Sequence, residues 1–183
     1  MTRPHVLILP GWQNSGAGHW QTRWETLHGY ERVDQHDWLT PRRGDWLARL
    51  DEVMIARAQT PVVLVAHSLG CVLTAAWAKY SRHTAAVRGA LLVAPGDVEQ
   101  PDLAAVLPGW APVVCERLPF PSVLVGSQND PYCTQERAQG LARHWGSEWV
   151  DAGAVGHINA ESGLGDWLQG HALLQRWLKA NEN

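Results

Sequence analysis

The sequence predicts an α/β fold, a three-layer sandwich around a mainly parallel sheet of about six strands. Two observations predict it. Short apolar runs alternate with amphipathic segments along the whole chain, the pattern of successive βαβ units. The run Val62-Val63-Leu64-Val65-Ala66-His67 then breaks at Ser68 into a helix-forming segment, with small residues, Ala66 and Gly70, at both second neighbours of the serine. Strands are expected at 5–9, 31–35 (the weakest), 62–66, 89–94, 122–127 and 147–151.

Helices fill the gaps. Trp20, Trp24 and Leu27 fall at helical spacing in the first, and Trp46 or Leu47, Leu50, Val53 or Met54, then Arg57-Ala58 trace the second. The third starts at Ser68 and reaches about Tyr80, with Gly70 and Ala75-Ala76 allowing close packing on the sheet. The next has Thr134 as N-cap, Glu136 in its first turn, a stripe of Ala138, Leu141 and Trp145, Arg143 and His144 at its negative end, and Gly146 to close it. The last runs from about Gly165 to Lys179, with Leu168, Leu174, Trp177 and Leu178 facing in.

Residues 1–183 are expected to form one domain, large enough to bury roughly 70% of its extended surface. A net charge of −3, with Lys and Arg scattered, gives no electrostatic case for nucleic acid or an anionic membrane. No stretch approaches the ~20 apolar residues of a membrane span, and His5–Leu9 is too short for a signal segment. Three cysteines, odd in number and without a C-x-x-C, argue against a disulfide framework or zinc site and for a reducing compartment, the cytoplasm. Eleven tryptophans stand against one phenylalanine. They are expected mostly in the core, with Trp12 and Trp110 as candidates to wall an apolar pocket.

The chemistry is written at three strand ends. The sharp turn at Ser68 has the pattern A-x-S-x-G, where G-x-S-x-G is usual; it would hold a serine hydroxyl clear of its backbone. Read alone, Ser68 could equally be a helix N-cap. Two further loops decide the reading. Asp130 follows the strand 122–127 in Gln128-Asn129-Asp130-Pro131, and His157 follows 147–151 in Gly156-His157-Ile158-Asn159. Serine, acid, histidine is the triad order of the α/β-hydrolases, and a parallel sheet gathers all three ends on one edge. We therefore assign Ser68 as nucleophile, His157 as base and Asp130 as the orienting acid. Asp97 is the competing acid, and His171, within a helix, the weaker histidine.

The glycine-rich loop Pro10-Gly11-Trp12-Gln13-Asn14-Ser15-Gly16-Ala17-Gly18-His19-Trp20 lacks the lysine and spacing of a phosphate cradle. It reads instead as half of an oxyanion hole. The Leu69 amide would supply one donor and the Trp12 amide the other. Gly11, Gln13, His67 and Trp110 are the substrate-bordering candidates, His67 by packing beside the serine, whereas His19 is expected to begin the first helix. The proline-rich segment 95–121 could close over the serine as a small lid. No metal signature is present, and the mechanism needs no cofactor; the partner is a small acyl substrate.

With these segments placed, the chain resembles the small single-domain serine hydrolases related to retinoblastoma-binding protein nine, including many bacterial predicted esterases. The matching residues are Pro10–Ser15 with Gly18-His19-Trp20, the Val65–Cys71 elbow, Gly126–Pro131 and Gly156–Asn159. The resemblance implies a minimal α/β-hydrolase fold without a large cap domain and a Ser68–Asp130–His157 triad. The L-x-C-x-E motif for retinoblastoma protein is absent, so that partner is not implied. The reading is thus an esterase, thioesterase or amidase working through an acyl-enzyme. Its rivals are an interaction module that keeps the fold, and acyl transfer or carbon–carbon cleavage by the same triad.

Overall fold

A computed structural model describes residues 3–57 and 59–178. The strands are β1 (His5–Leu9), β2 (Glu31–Arg32), β3 (Val62–His67), β4 (Val87–Val93), β5 (Ser122–Gly126) and β6 (Glu148–Asp151). They form one sheet in the order β2-β1-β3-β4-β5-β6, and every pairing is parallel. The helices are α1 (Trp20–His28), α2 (Arg43–Ala56), α3 (Leu69–Tyr80), α4 (Pro101–Val106), α5 (Gln135–Trp145) and α6 (Leu168–Leu178).

The sheet is buried on both faces because its strands alternate between two apolar sets. Leu64, Ala66, Leu92 and Leu124 share one core with Trp46, Leu50 and Met54 of α2, Leu73 and Trp77 of α3, and Leu141 and Trp145 of α5. Val63, Val65, Leu91, Val93 and Val123 share the other with Trp20 and Trp24 of α1 and Leu174 and Leu178 of α6. This is the expected three-layer α/β-hydrolase sandwich. The sheet is wholly parallel rather than mainly so, and no large cap domain is present among the described residues.

Element ends move by a few residues. The weak second strand shrinks to two residues, and α6 begins at Leu168 rather than near Gly165. Leu168 is 74% exposed, so its inward placement is corrected: at the first position of α6 it lies beyond the packed stripe of Leu174 and Leu178. Ala58 and Lys179, expected at helix ends, lie outside the described residues. The α5 caps are as expected: Thr134 accepts the Arg137 amide, and Gly146 closes the helix with φ 69°. The segment 95–121 is less irregular than its prolines suggest, since it contains α4. No helix among the described residues is long and apolar enough to cross a membrane.

The chain order reverses between β1 and β3, so their carboxyl ends frame a crevice. A Cβ on Gly70 would stand 2.3 Å from the Leu9 carbonyl oxygen. That neighbour is backbone and cannot swing away. Gly70→Ala is therefore expected to cost about 1–3 kcal/mol or more through overpacking, measured by urea unfolding. A neutral result would mean that β1 and α3 can separate without penalty.

Candidate active site

Ser68 ends β3 with φ 54° and ψ −119°, a backbone state that residues with a Cβ seldom occupy. Its side chain makes no capping bond to α3, which removes the plain N-cap reading. Its Oγ lies 2.9 Å from Nε2 of His157. The other ring nitrogen, Nδ1, lies 2.8 and 2.9 Å from the two carboxylate oxygens of Asp130. A proton on Nδ1 donates to Asp130 and leaves Nε2 free to accept from the hydroxyl. The structure thus brings the three sequence candidates into one hydrogen-bonded chain. Asp97 instead pairs with Arg137 at 3.3 Å, and His171 bonds the Tyr30 hydroxyl at 2.8 Å.

Several partners fix the two loops. Asn129 Oδ1 accepts from the Ser127 hydroxyl at 3.0 Å and the Gly156 amide at 2.7 Å, tying the acid loop to the histidine loop. Nε2 of His67 donates to the His157 carbonyl at 2.9 Å, and the Trp20 indole donates to the Ile158 carbonyl at 2.7 Å. Two consecutive carbonyls beside the base are therefore held, one from the elbow and one from α1, while Ile158 keeps a strained φ of 48°. His67 was legible as a neighbour of the site; its anchoring bond was not. The Trp20 anchor had no sequence signal beyond its place in the first helix.

The loop after β1 lies against the elbow. A Cβ on Gly11 would come within 2.8 Å of Ser68 Cβ and 3.2 Å of the Leu69 amide. Fully buried Gln21 ties that loop to β3: its amide donates to the Leu9 and Val65 carbonyls and its oxygen accepts from Ser15. The Trp12 and Leu69 amides have no backbone acceptor among the described residues.

A cleft of about 420 Å³ opens over Ser68. Gly11, Trp12, Gln13, His67 and Leu69 border it. Trp110 does not. It is fully buried against Trp46, with its indole bonded to the Pro41 carbonyl at 2.9 Å, because its stretch of the proline-rich segment packs into the core under α2. That candidate is corrected. The same segment supplies Gly96, Val98, Leu103 and Leu107 to the cleft instead, and Leu103 and Leu107 carried a legible four-residue spacing. Tyr132, Asn159 and Glu161 also border it, without having been singled out.

His19 does two things at once. Its Nδ1 accepts the Gln21 amide and caps α1, while its ring borders the cleft. Burial, then the neighbouring His157 and Arg32, pull its pKa down to about 3. His67 packs edge-on to it at 4.7 Å between centroids. Burial, then His19 and His157, hold His67 well below its ordinary value too. Both rings are neutral in the folded protein.

The serine hydrolase family model matches residues 6–176, and the chain belongs to that family. The enzyme is a serine hydrolase of the α/β-hydrolase fold. A Pectobacterium atrosepticum protein described as a YdeN-like hydrolase is 28% identical, with a TM-score of 0.82 over 96% of this chain and 90% of that one. The ydeN product of B. subtilis is 19% identical with a TM-score of 0.75, covering 95% of this chain and 98% of that chain. Est1E of Butyrivibrio proteoclasticus, solved with ferulic acid bound, is 15% identical with a TM-score of 0.72, covering 96% and 90%. No curated protein sequence matches the chain.

The neutral imidazoles set a pH dependence. In the unfolded chain each titrates near 6.5, so acid favours unfolding. For His19 the stabilising effect is complete above pH 6.5 and is lost as pH falls from there toward about 3, by up to about 1.4 kcal/mol per pH unit, and His67 acts in the same direction. His19→Asn keeps a capping acceptor and is expected to flatten the fall in unfolding free energy between about pH 7 and 5. An unchanged slope in urea titrations would show that His19 protonates freely in the fold.

Proposed function

We propose that the protein hydrolyses small acyl esters, thioesters or amides through a covalent acyl-enzyme. The observation that carries this reading is the chain Ser68 Oγ, His157 Nε2 and Nδ1, Asp130 carboxylate, held within 2.8–2.9 Å steps. Ser68 attacks the substrate carbonyl while its proton passes to His157 Nε2. The imidazolium so formed is stabilised by Asp130. The carbonyl oxygen takes up the negative charge between the Trp12 and Leu69 amides, whose lack of a backbone acceptor suits that task. The bond to the leaving group then breaks as His157 returns the proton to it. Water, deprotonated by the same ring, releases the acid and restores the serine.

Residues 1–183 act in this reading as one catalytic domain. The narrower kinship with the retinoblastoma-binding protein nine group rests on the four sequence motifs alone. Three free thiols, with Cys71 and Cys133 buried and Cys115 exposed, suit a reducing, cytoplasmic setting.

Labelling with a fluorophosphonate and intact mass is the direct test. One adduct is expected on the wild type and none on Ser68→Ala or His157→Ala. Asp130→Asn is expected to lower kcat by roughly 10⁴-fold with the fold retained. An unlabelled, folded wild type would favour an interaction module that keeps the hydrolase fold.

A further inference from the structure

The cleft is not chemically uniform, and its two sides are fixed relative to the reacting atoms. In acyl transfer the base must return its proton to the leaving group, so the leaving group departs on the side of His157. The residues on that side are Tyr132, edge-on to the His157 ring at 4.6 Å between centroids, and Asn159 and Glu161 two and four residues beyond the base. The other side starts at Gly96. A Cβ there would stand 3.4 Å from Ser68 Oγ and 3.8 Å from Leu103 Cδ1, so the missing side chain opens a passage from the nucleophile to Leu103. Val98 and Leu107 complete an apolar surface with no polar side-chain atom.

Charge divides the cleft further. No lysine or arginine among the described residues borders it. His19 and His67 are neutral, and Asp130 is engaged by His157. Glu161 is the carboxylate that faces the space, and it makes no ion pair among the described residues. Its backbone is held, since its amide donates to Asn159 Oδ1 at 3.1 Å within a capped 3₁₀ turn. Glu161 thus borders the cleft near His157 as an acidic residue with no ion pair among the described residues.

We infer that Ser68 divides the cleft into an apolar acyl subsite of Gly96, Val98, Leu103 and Leu107 and a leaving-group subsite of Tyr132, Asn159 and Glu161, and that the enzyme's substrates carry an uncharged acyl group on a cationic or neutral leaving group. Phosphorylated or carboxylated leaving groups, those of coenzyme thioesters among them, are disfavoured. The inference rests on the acyl-hydrolase reading above and narrows its substrate class.

The test uses three butyryl thioesters with cationic, neutral and anionic thiol portions of similar size, the cationic one being butyrylthiocholine. The kcat/KM ratio of cationic to anionic ester is measured for the wild type, Glu161→Gln and Glu161→Lys. Comparing the ratio between proteins cancels the intrinsic reactivity of the esters. The ratio is expected to fall about threefold in Glu161→Gln, further in Glu161→Lys, and to weaken with added salt in the wild type. An equal ratio in all three proteins overturns the charge assignment. On the acyl side, Leu103→Phe is expected to move the preferred thiocholine ester toward shorter acyl chains, with Leu107→Phe in its place if circular dichroism shows the first variant unfolded. An unchanged acyl profile in the folded variant overturns the acyl subsite. Absence of turnover of all three esters, in a wild type that still labels with fluorophosphonate, overturns the substrate class. Absence of labelling as well overturns the hydrolase reading beneath it.

Discussion

The structure depends on the close approach of β1 and its following loop to the Ser68 elbow. Two glycines permit it. Gly70 lets the start of α3 lie against the Leu9 carbonyl, and Gly11 lets the loop lie against Ser68 itself. Neither space would admit a methyl group. The approach brings Gly11 to the Leu69 amide, at the point where the order of strands reverses. An open parallel sheet offers such a crevice at its switch point whatever the sequence. What this sequence adds is the absence of side chains that would fill it.

Around that contact, several buried polar groups tie one loop to another. Gln21 joins the loop after β1 to the β1 and β3 carbonyls. His67 and Trp20 hold successive carbonyls at the base, and Asn129 joins the acid loop to the histidine loop. A buried amide or imidazole left unbonded costs about 1–3 kcal/mol, so each of these bonds resists displacement of its loop. Burying His19 and His67 as neutral rings also removes positive charge from the neighbourhood of His157, which must itself take up a proton in the reaction proposed.

The sequence made the fold and the Ser68, Asp130 and His157 positions legible because both are written locally. A strand that breaks at a serine, and loops that follow apolar runs, need no knowledge of distant contacts. The cleft walls were harder for the opposite reason. Trp110 sits in a proline-rich stretch whose path depends on packing against α2, and an aromatic residue there reads alike as wall or core. Leu103 and Leu107 shared a helical spacing, but one turn of helix says nothing of which space it faces. Glu161 looked like an ordinary surface carboxylate. Only the turn after His157 brings it to the cleft.

The distribution of backbone strain bears on whether the fold is kept for catalysis or as a scaffold for interaction. Among the described residues six other than glycine have positive φ, and four of them, Gln13, Asn14, Ser68 and Ile158, lie in the loop after β1, at the elbow and next to His157. A fifth, Ala94, directly follows β4, two residues before Gly96. Each such residue costs on the order of 1–3 kcal/mol and persists only where its surroundings over-determine it. A scaffold that presented an outer surface would gain stability by relaxing these positions toward glycine or ordinary loop geometry. Strain concentrated in and beside one cleft, and backed by partly buried hydrogen bonds at Asn14 and buried ones at His67 and Trp20, suits holding reacting groups in place before a substrate arrives. That distribution favours the catalytic reading over the interaction module.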